Sequence, residues 1–282
     1  FFGAWLFVTL TFFASGGAVF LELINPVDPG QAALFLQILL LGLWSVYGFW
    51  RALHRSPVVF SEQDEVLLCH TPVSRRMVTL RWLFMPWVKS GLAFWLLAVV
   101  LGFSMAETFL PGPMSASRIP EYSLFGLRAV GVIIPIHLTL YILQWIVGIN
   151  RLQKDEDQNW SNWLIIPLTI LFFMFLLAGT YPPVSNSFNP WSHIAAVLLF
   201  PFKAGFIPGN YGLSLLGCWL IVFIALGIMV WRSTGFSLNR AAQETHEIST
   251  LETAQRYGFS SYAKQLQDRK RIGVMRPPVR LP

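Results

Sequence analysis

The chain has 282 residues, of which 55% are hydrophobic and only 12% are charged, whereas an ordinary soluble domain has about 25% charged residues. This composition excludes an ordinary soluble domain and indicates an integral membrane protein. Long apolar runs alternate with polar loops, and the every-other-residue pattern of barrel strands is not visible. We therefore predict an all-α, polytopic fold in the lipid bilayer. The net charge is +6, but no nucleic-acid-binding module accompanies it, so we expect no nucleic-acid partner.

Two apolar segments open the chain. Residues 1–24 and 31–50 are each long enough to cross a bilayer as a helix, and a short turn with two prolines joins them, which predicts a helical hairpin. Because the chain begins with two phenylalanines rather than with Met, we expect the natural N-terminus to precede Phe1.

The loop at residues 51–81 is the longest charged interruption between apolar segments. Ser61 with Asp64 three residues later is typical of a helix N-terminus, and Pro72 ends that helix and favours the start of another. We predict a helix, a sharp corner and a second helix, with Val73, Met77 and Leu80 on one apolar face of the second. The alternative is a solvated loop that only links two spans.

Four further spans are predicted, at residues 82–110, 123–149, 163–180 and 211–231. The first of these would be about 44 Å long as a helix, longer than the ~30 Å hydrocarbon core, so we expect it to protrude on the loop side. Residues 191–208 are apolar but contain two prolines, a glycine and a lysine. We expect this segment to form a re-entrant helical pair before the sixth span.

The distribution of positive residues predicts the topology. Sixteen of the 20 Lys and Arg residues lie in segments 51–81, 150–162 and 232–282. These three segments lie on the same side of the membrane only if residues 191–208 do not cross it. Because positive residues collect in cytoplasmic loops, this count favours six spans with both termini cytoplasmic. We therefore divide the chain into a transmembrane domain, residues 1–232, and a cytoplasmic C-terminal tail, residues 233–282.

This arrangement of spans, helical loop and re-entrant pair resembles the transmembrane subunit of ABC-2 type exporters. Asp64-Glu65-Val66-Leu67-Leu68, followed by Thr71-Pro72-Val73-Ser74-Arg75-Arg76, is similar to an acidic, Leu-Leu, Pro-aliphatic-Ser-Arg-Arg segment of bacterial ABC exporter permeases. The chain departs from that family in lacking the amphipathic helix that normally precedes the first span, and in its long tail.

The resemblance implies a coupling helix that sits in a groove of a separate ABC ATPase subunit. It also implies that two permease subunits, in a homo- or heterodimer, form the pathway between them. The residues it assigns to contact with the ATPase are Asp64, Glu65, Leu67, Leu68, Pro72, Ser74, Arg75 and Arg76.

The chain shows no constellation for catalysis or metal binding. It contains no G-x-x-x-x-G-K-[ST] segment, so we expect no cofactor on this chain, and ATP and Mg on the partner ATPase. The cysteines, Cys69 and Cys218, lack metal-ligand spacing, and no acidic residue accompanies His137 in its span. We therefore expect no catalytic residue and no metal site.

A few polar side chains lie in or near the apolar runs, where they either extend towards the bilayer surface or line a translocation pathway. These candidate pathway residues are Lys89, Glu107, Arg128 and His137.

The leading functional prediction is a permease subunit of an ATP-driven exporter in the bacterial inner membrane. The main alternative is a non-transporting scaffold subunit of a larger membrane complex. An intramembrane enzyme acting on lipid is a third alternative, and the scarcity of polar residues in the spans disfavours it. An exporter predicts a neighbouring gene for an ATPase, whereas a scaffold predicts stoichiometric co-purification with other membrane subunits.

Overall fold

The computed structural model describes residues 2–25, 28–58, 74–110, 116–153, 163–180, 190–206 and 211–256. These residues form helices and no strand, which confirms the predicted all-α class. The α-helices in this part of the chain are α1 (Phe2–Ile24), α2 (Pro29–His54), α3 (Arg75–Phe109), α4 (Ile119–Gln153), α5 (Ile165–Gly179), α6 (Pro190–Phe206), α7 (Tyr211–Arg232) and α8 (Leu238–Arg256).

The described helices include four that are long and apolar enough to cross a bilayer: Pro29–His54, Arg75–Phe109, Ile119–Gln153 and Tyr211–Gly235. Shorter apolar helices lie at Ser15–Ile24, Ile165–Gly179 and His193–Phe206. At 1.5 Å per residue, α5 and α6 are about 22 and 26 Å long, less than the ~30 Å hydrocarbon core. The helices are thus those of a multi-pass membrane protein, and the number of six spans stays a prediction.

Local sequence signals explain where α2 begins, whereas the extended backbone of Ser74 sets the start of α3. The Asp28 carboxylate accepts a hydrogen bond from the Gln31 N–H at 3.1 Å, and Pro29 occupies the first turn of α2, the position where proline is favoured. The backbone of Ser74 is extended, with ψ of 122°. The helix that was predicted to start at Pro72 therefore starts at Arg75, because an extended residue cannot lie inside a helix.

The third span forms one long helix. α3 has 35 residues and contains Pro86, and at 1.5 Å per residue it is about 52 Å long. Its first turns pack with Val78 and Leu83 against α4 and α7, whereas Met105 near its end packs against α2. α3 therefore extends from one end of the helix bundle to the other.

Two core clusters divide the bundle. The distal half is the part where α2 and α4 begin and α3 and α5 end, together with α6. Its core contains Leu34, Ile38, Leu41, Met105, Ile133, Leu176, Phe202 and Phe206. The basic half is the part where α2, α4 and α7 end and α3 and α8 begin. Its core contains Leu83, Ile142, Trp145, Ile149, Val222, Met229 and Phe236.

The helix α6 packs in the distal half. Its residues Leu199, Phe202 and Phe206 belong to the distal core, and none of its described residues belongs to the core cluster of the basic half. Close contacts at two glycines support this position of α6. Gly179 at the end of α5 faces Ala195 of α6, and Gly205 of α6 faces Ala129 of α4.

Candidate functional site

The two stems of segment 59–73 contact the part of the chain that follows α7. Before the segment, Val58 belongs to the same core cluster as Ala241 and Ala242 of α8. The Thr245 hydroxyl donates to the Ala241 carbonyl of its own helix at 2.8 Å and lies 3.4 Å from the Val58 carbonyl. After the segment, Arg75 Nη1 donates to the Thr234 carbonyl at 3.2 Å. Both ends of the loop are therefore attached to the same region of the C-terminal chain.

Arg151 connects three helices beside these stems. Its guanidinium forms two hydrogen bonds with the Glu244 carboxylate of α8, at 2.7 and 2.6 Å, and its Nε donates to the Ala52 carbonyl of α2 at 3.3 Å. The paired side chains are only 16% and 23% exposed, so water screens this ion pair less than one on the surface. We name Val58, Arg75, Arg151, Thr234, Glu244 and Thr245 the loop base.

Further hydrogen bonds hold the end of α4 to the last residue of α7 and to the first turn of α8. Arg240 Nη1 donates to the Leu152 carbonyl at 3.3 Å, and Gln153 Nε2 donates to the Arg232 carbonyl at 2.7 Å. The described parts of the three basic segments therefore meet at one end of the bundle. The arginines at this end are Arg51, Arg55, Arg75, Arg76, Arg81, Arg151, Arg232 and Arg240.

Most of the predicted ATPase-contact residues fall in the undescribed segment. Asp64, Glu65, Leu67, Leu68 and Pro72 lie outside the described residues. Ser74, Arg75 and Arg76 are described and exposed.

The first turns of α3 bury one of two apolar strips. Met77 and Leu80, predicted to share an apolar face, are 65% and 40% exposed, whereas Val78 and Leu83 are buried. The reason is that α4 and α7 contact an adjacent strip of the helix, and spacing alone cannot distinguish two apolar strips. The Arg75 side chain, expected to be free for a partner, contacts Thr234 of its own chain.

A cavity of about 760 Å³ lies next to the loop base, between α2, α3 and α4. Six of its sixteen lining residues are aromatic: Trp44, Tyr47, Trp82, Phe84, Tyr141 and Trp145. Arg51 and Arg81 also line it, and within the described ranges none of its lining residues is acidic. Among the described residues neither arginine forms an ion pair. The cavity thus combines two available positive charges with an apolar interior.

One neutral polar side chain on the cavity wall has no hydrogen-bond partner for its amide nitrogen within the described structure. Gln144 is 6% exposed, and its buried Nε2 makes no hydrogen bond. The Gln144 side chain lies against Gly48, where a Cβ atom would overlap it. Glycine at position 48 therefore makes room for the Gln144 amide, whose Nε2 is buried in the wall against Gly48 and does not open onto the cavity.

His137 lies behind this cavity, fully buried among aromatic rings. Its ring centroid is 4.4 Å from that of Trp44, 5.5 Å from that of Phe94 and 6.5 Å from that of Tyr141. Neither ring nitrogen has a hydrogen-bond partner in the described residues. His137 is therefore part of the packed wall behind the cavity rather than a side chain that lines it.

The other candidate pathway residues lie apart from His137. Lys89 is exposed on α3, and Glu107 is half-buried near Tyr122 in the distal half. The Arg128 guanidinium lies 6.0 Å from the centroid of the Tyr211 ring. The four residues therefore do not converge on one site. No group of three or more His, Cys, Asp or Glu side chains in the described ranges is placed to hold a metal ion.

Comparisons with protein-family models, with curated proteins and with solved structures give no match to this chain. Its functional interpretation therefore depends on its own residues. The site residues that sequence reasoning missed are Arg51, Arg81 and Gln144. The sequence contained a signal for each, because a glutamine is rare in an apolar span and the two arginines flank spans on the same predicted side, but only the fold brings them to one cavity.

Proposed function

We propose that the chain is the permease subunit of an ATP-driven exporter, coupled through segment 59–73 to a separate ABC ATPase that binds ATP and Mg. A second permease subunit would complete the pathway. The observation that carries the proposal is the continuity of α3. It begins two residues after the segment and continues as one helix into the distal half. A displacement of the loop would therefore reach the far end of the bundle.

The loop base supports the same function. A loop that transmits force needs stems that do not move independently of the spans. Here one stem packs against α8 at Val58, the other is hydrogen-bonded to the Thr234 carbonyl, and Arg151 links α8 to α2 and α4. A push on the segment would consequently reach α2, α3, α4 and α8 rather than being absorbed at a flexible junction.

We further propose six spans in the bacterial inner membrane, with both termini cytoplasmic. α1 and α5 would supply the two crossings that accompany the four long helices. The distal packing of α6 supports a re-entrant role, since its core contacts lie in one half of the bundle. The collection of arginines in the basic half supports placing that half at the cytoplasmic surface.

The experiment is affinity purification of the tagged chain from its native host in mild detergent, followed by mass spectrometry and an ATPase assay. We expect one predominant partner with a phosphate-binding loop, and ATP hydrolysis in the purified complex. Leu67→Asp and Leu68→Asp should each remove this partner, because a charge in a desolvated apolar interface is strongly unfavourable.

Thr71→Asp is the matched control, since it adds the same charge to the same loop in place of a polar side chain rather than an apolar one. We expect it to retain the ATPase. Retention of the ATPase by both leucine variants would show that the loop is solvated. Stoichiometric membrane subunits without any ATPase would favour the scaffold function instead.

A further inference from the structure

We propose that the cavity between α2, α3 and α4 is a binding site for an anionic amphiphile, specifically a phospholipid with a net negative headgroup. This inference does not depend on the ATPase or on transport. It would hold equally for a scaffold subunit.

The charges of the cavity select an anionic headgroup. Arg51 comes from the last turn of α2 and Arg81 from the second turn of α3, and both guanidinium groups line the same cavity. In the part of the chain that the structure describes, no acidic residue lines it. Guanidinium groups donate paired hydrogen bonds to phosphate oxygens, so two of them at one cavity are well suited to a phosphodiester.

Gln144 adds a neutral donor deeper in the wall. Its unpartnered and buried Nε2 is on α4, whereas the two arginines are on α2 and α3. Because Nε2 is buried against Gly48, a headgroup oxygen would reach this amide only if the Gln144 side chain rotated towards the cavity. The three helices would then each contribute one donor to the same ligand.

The remaining wall favours an acyl chain. Tyr47, Phe84 and Met85 line the cavity and are 59%, 55% and 64% exposed, so the apolar lining continues onto the outer surface of α2 and α3. On a membrane-embedded chain that surface faces lipid. A phospholipid could therefore enter sideways, with its headgroup at the arginines and its tail along this apolar strip. A volume of about 760 Å³ is within the usual range of ~300–1,000 Å³ for ligand sites.

The test is native mass spectrometry of the detergent-solubilised full chain, titrated with four probes. Phosphatidylglycerol carries the negative headgroup and the tails, phosphatidylcholine has a phosphate but no net charge, diacylglycerol has tails alone, and glycerol 3-phosphate has the anion alone. We expect one saturable phosphatidylglycerol site. The affinity of this site for phosphatidylglycerol should exceed its affinity for phosphatidylcholine or diacylglycerol by about tenfold or more. This is the change expected when a ligand loses a charge-assisted hydrogen bond.

Arg51→Gln and Arg81→Gln should each weaken phosphatidylglycerol binding severalfold, and the double variant by at least about tenfold. Both arginines are exposed, so these replacements leave the core unchanged. Gln144→Leu should weaken binding less, while retaining the preference for a negative lipid. Arg232→Gln is the matched control, because it removes an exposed charge at the same end of the bundle but outside the cavity.

Three results would overturn the proposal: equal affinity for the three lipids, unchanged phosphatidylglycerol binding in the double arginine variant, or an equal loss in Arg232→Gln. Tight binding of glycerol 3-phosphate without any preference for the lipid would also overturn it, by making the site one for a soluble phosphate. Because none of these readouts involves the ATPase, failure of the exporter proposal leaves this test unaffected.

Discussion

The distal and basic halves of the bundle are held together in different ways. In the distal half the helix backbones touch at glycines: a Cβ atom on Gly102 of α3 would lie 2.8 Å from the Cα atom of Gly126 on α4. In the basic half the helices are linked by side-chain hydrogen bonds such as Arg151 to Glu244, and they leave a cavity of about 760 Å³. Close backbone contact leaves little freedom for relative movement, whereas side-chain links around a cavity can rearrange. The difference indicates that the basic half is where a ligand or partner can change the structure.

The largest effect is expected in the distal half, for Gly102→Ala. The new methyl group would meet backbone atoms of α4, which cannot rotate away, so we expect a loss of about 2–3 kcal/mol although alanine favours the helix itself. Gly227→Ala on α7, where nothing lies within 4 Å, is the control and should be neutral or stabilising. Thermal unfolding of the detergent-solubilised variants measures both, and equal stabilities would show that the distal half is not closely packed.

The next effect is expected at the loop base. Arg151→Ala and Glu244→Ala should each destabilise the protein by about 1–2 kcal/mol, because each leaves the other charge of a partly buried pair without its partner. The double variant should lose little more than either single variant. A double-mutant cycle on thermal unfolding gives the coupling energy. Additive losses would mean that the two side chains do not interact.

The smallest effect is expected for His137→Phe. The ring is already packed among aromatic side chains, and its two nitrogens make no hydrogen bond within the described residues. Phenylalanine keeps the packing and removes two buried polar atoms, so stability should be unchanged or rise by up to about 1 kcal/mol. Thermal unfolding again measures this. A clear loss of stability would show that His137 has a polar partner outside the described part of the chain.

The sequence predicted the helical class and the long apolar helices. A helix that crosses a bilayer must have a certain length and hydropathy, and both can be seen within one segment of the sequence. It did not predict the start of α3. Pro72 favours a first helical turn, but Ser74 is extended, a choice that local preference does not determine. The sequence also did not show which strip of α3 is buried, because Met77 and Leu80 are as apolar as Val78 and Leu83, and only packing against α4 and α7 selects between them.

The cavity was not predicted for a different reason. Arg51, Arg81 and Gln144 are distant in sequence. Each arginine alone is explained by its position at the end of a span, and Gln144 alone by a buried amide within one. Their convergence depends on how α2, α3 and α4 pack. The surroundings of His137 were partly predictable, since Tyr141 lies one turn away on the same helix, but Trp44 and Phe94 come from two other helices.

The proposed coupling is tested most directly by ATP-driven movement at the cavity. A reporter cysteine placed at Ser90, which lines the cavity on α3, is introduced into a chain whose own cysteines, Cys69 and Cys218, are replaced by alanine. The reporter chain is purified with its ATPase. Labelling by a maleimide is then timed with and without ATP, in the uninterrupted chain and in a chain with Gly-Gly inserted after Met77.

The two glycines weaken the helix by about 1 kcal/mol each and rotate its first turn by about 200° relative to the rest. We predict that ATP changes the labelling rate severalfold in the uninterrupted chain, and that the insertion abolishes this change while ATPase binding and ATP hydrolysis remain. An equal ATP-dependent change in both chains, or no change in either, would contradict coupling through α3.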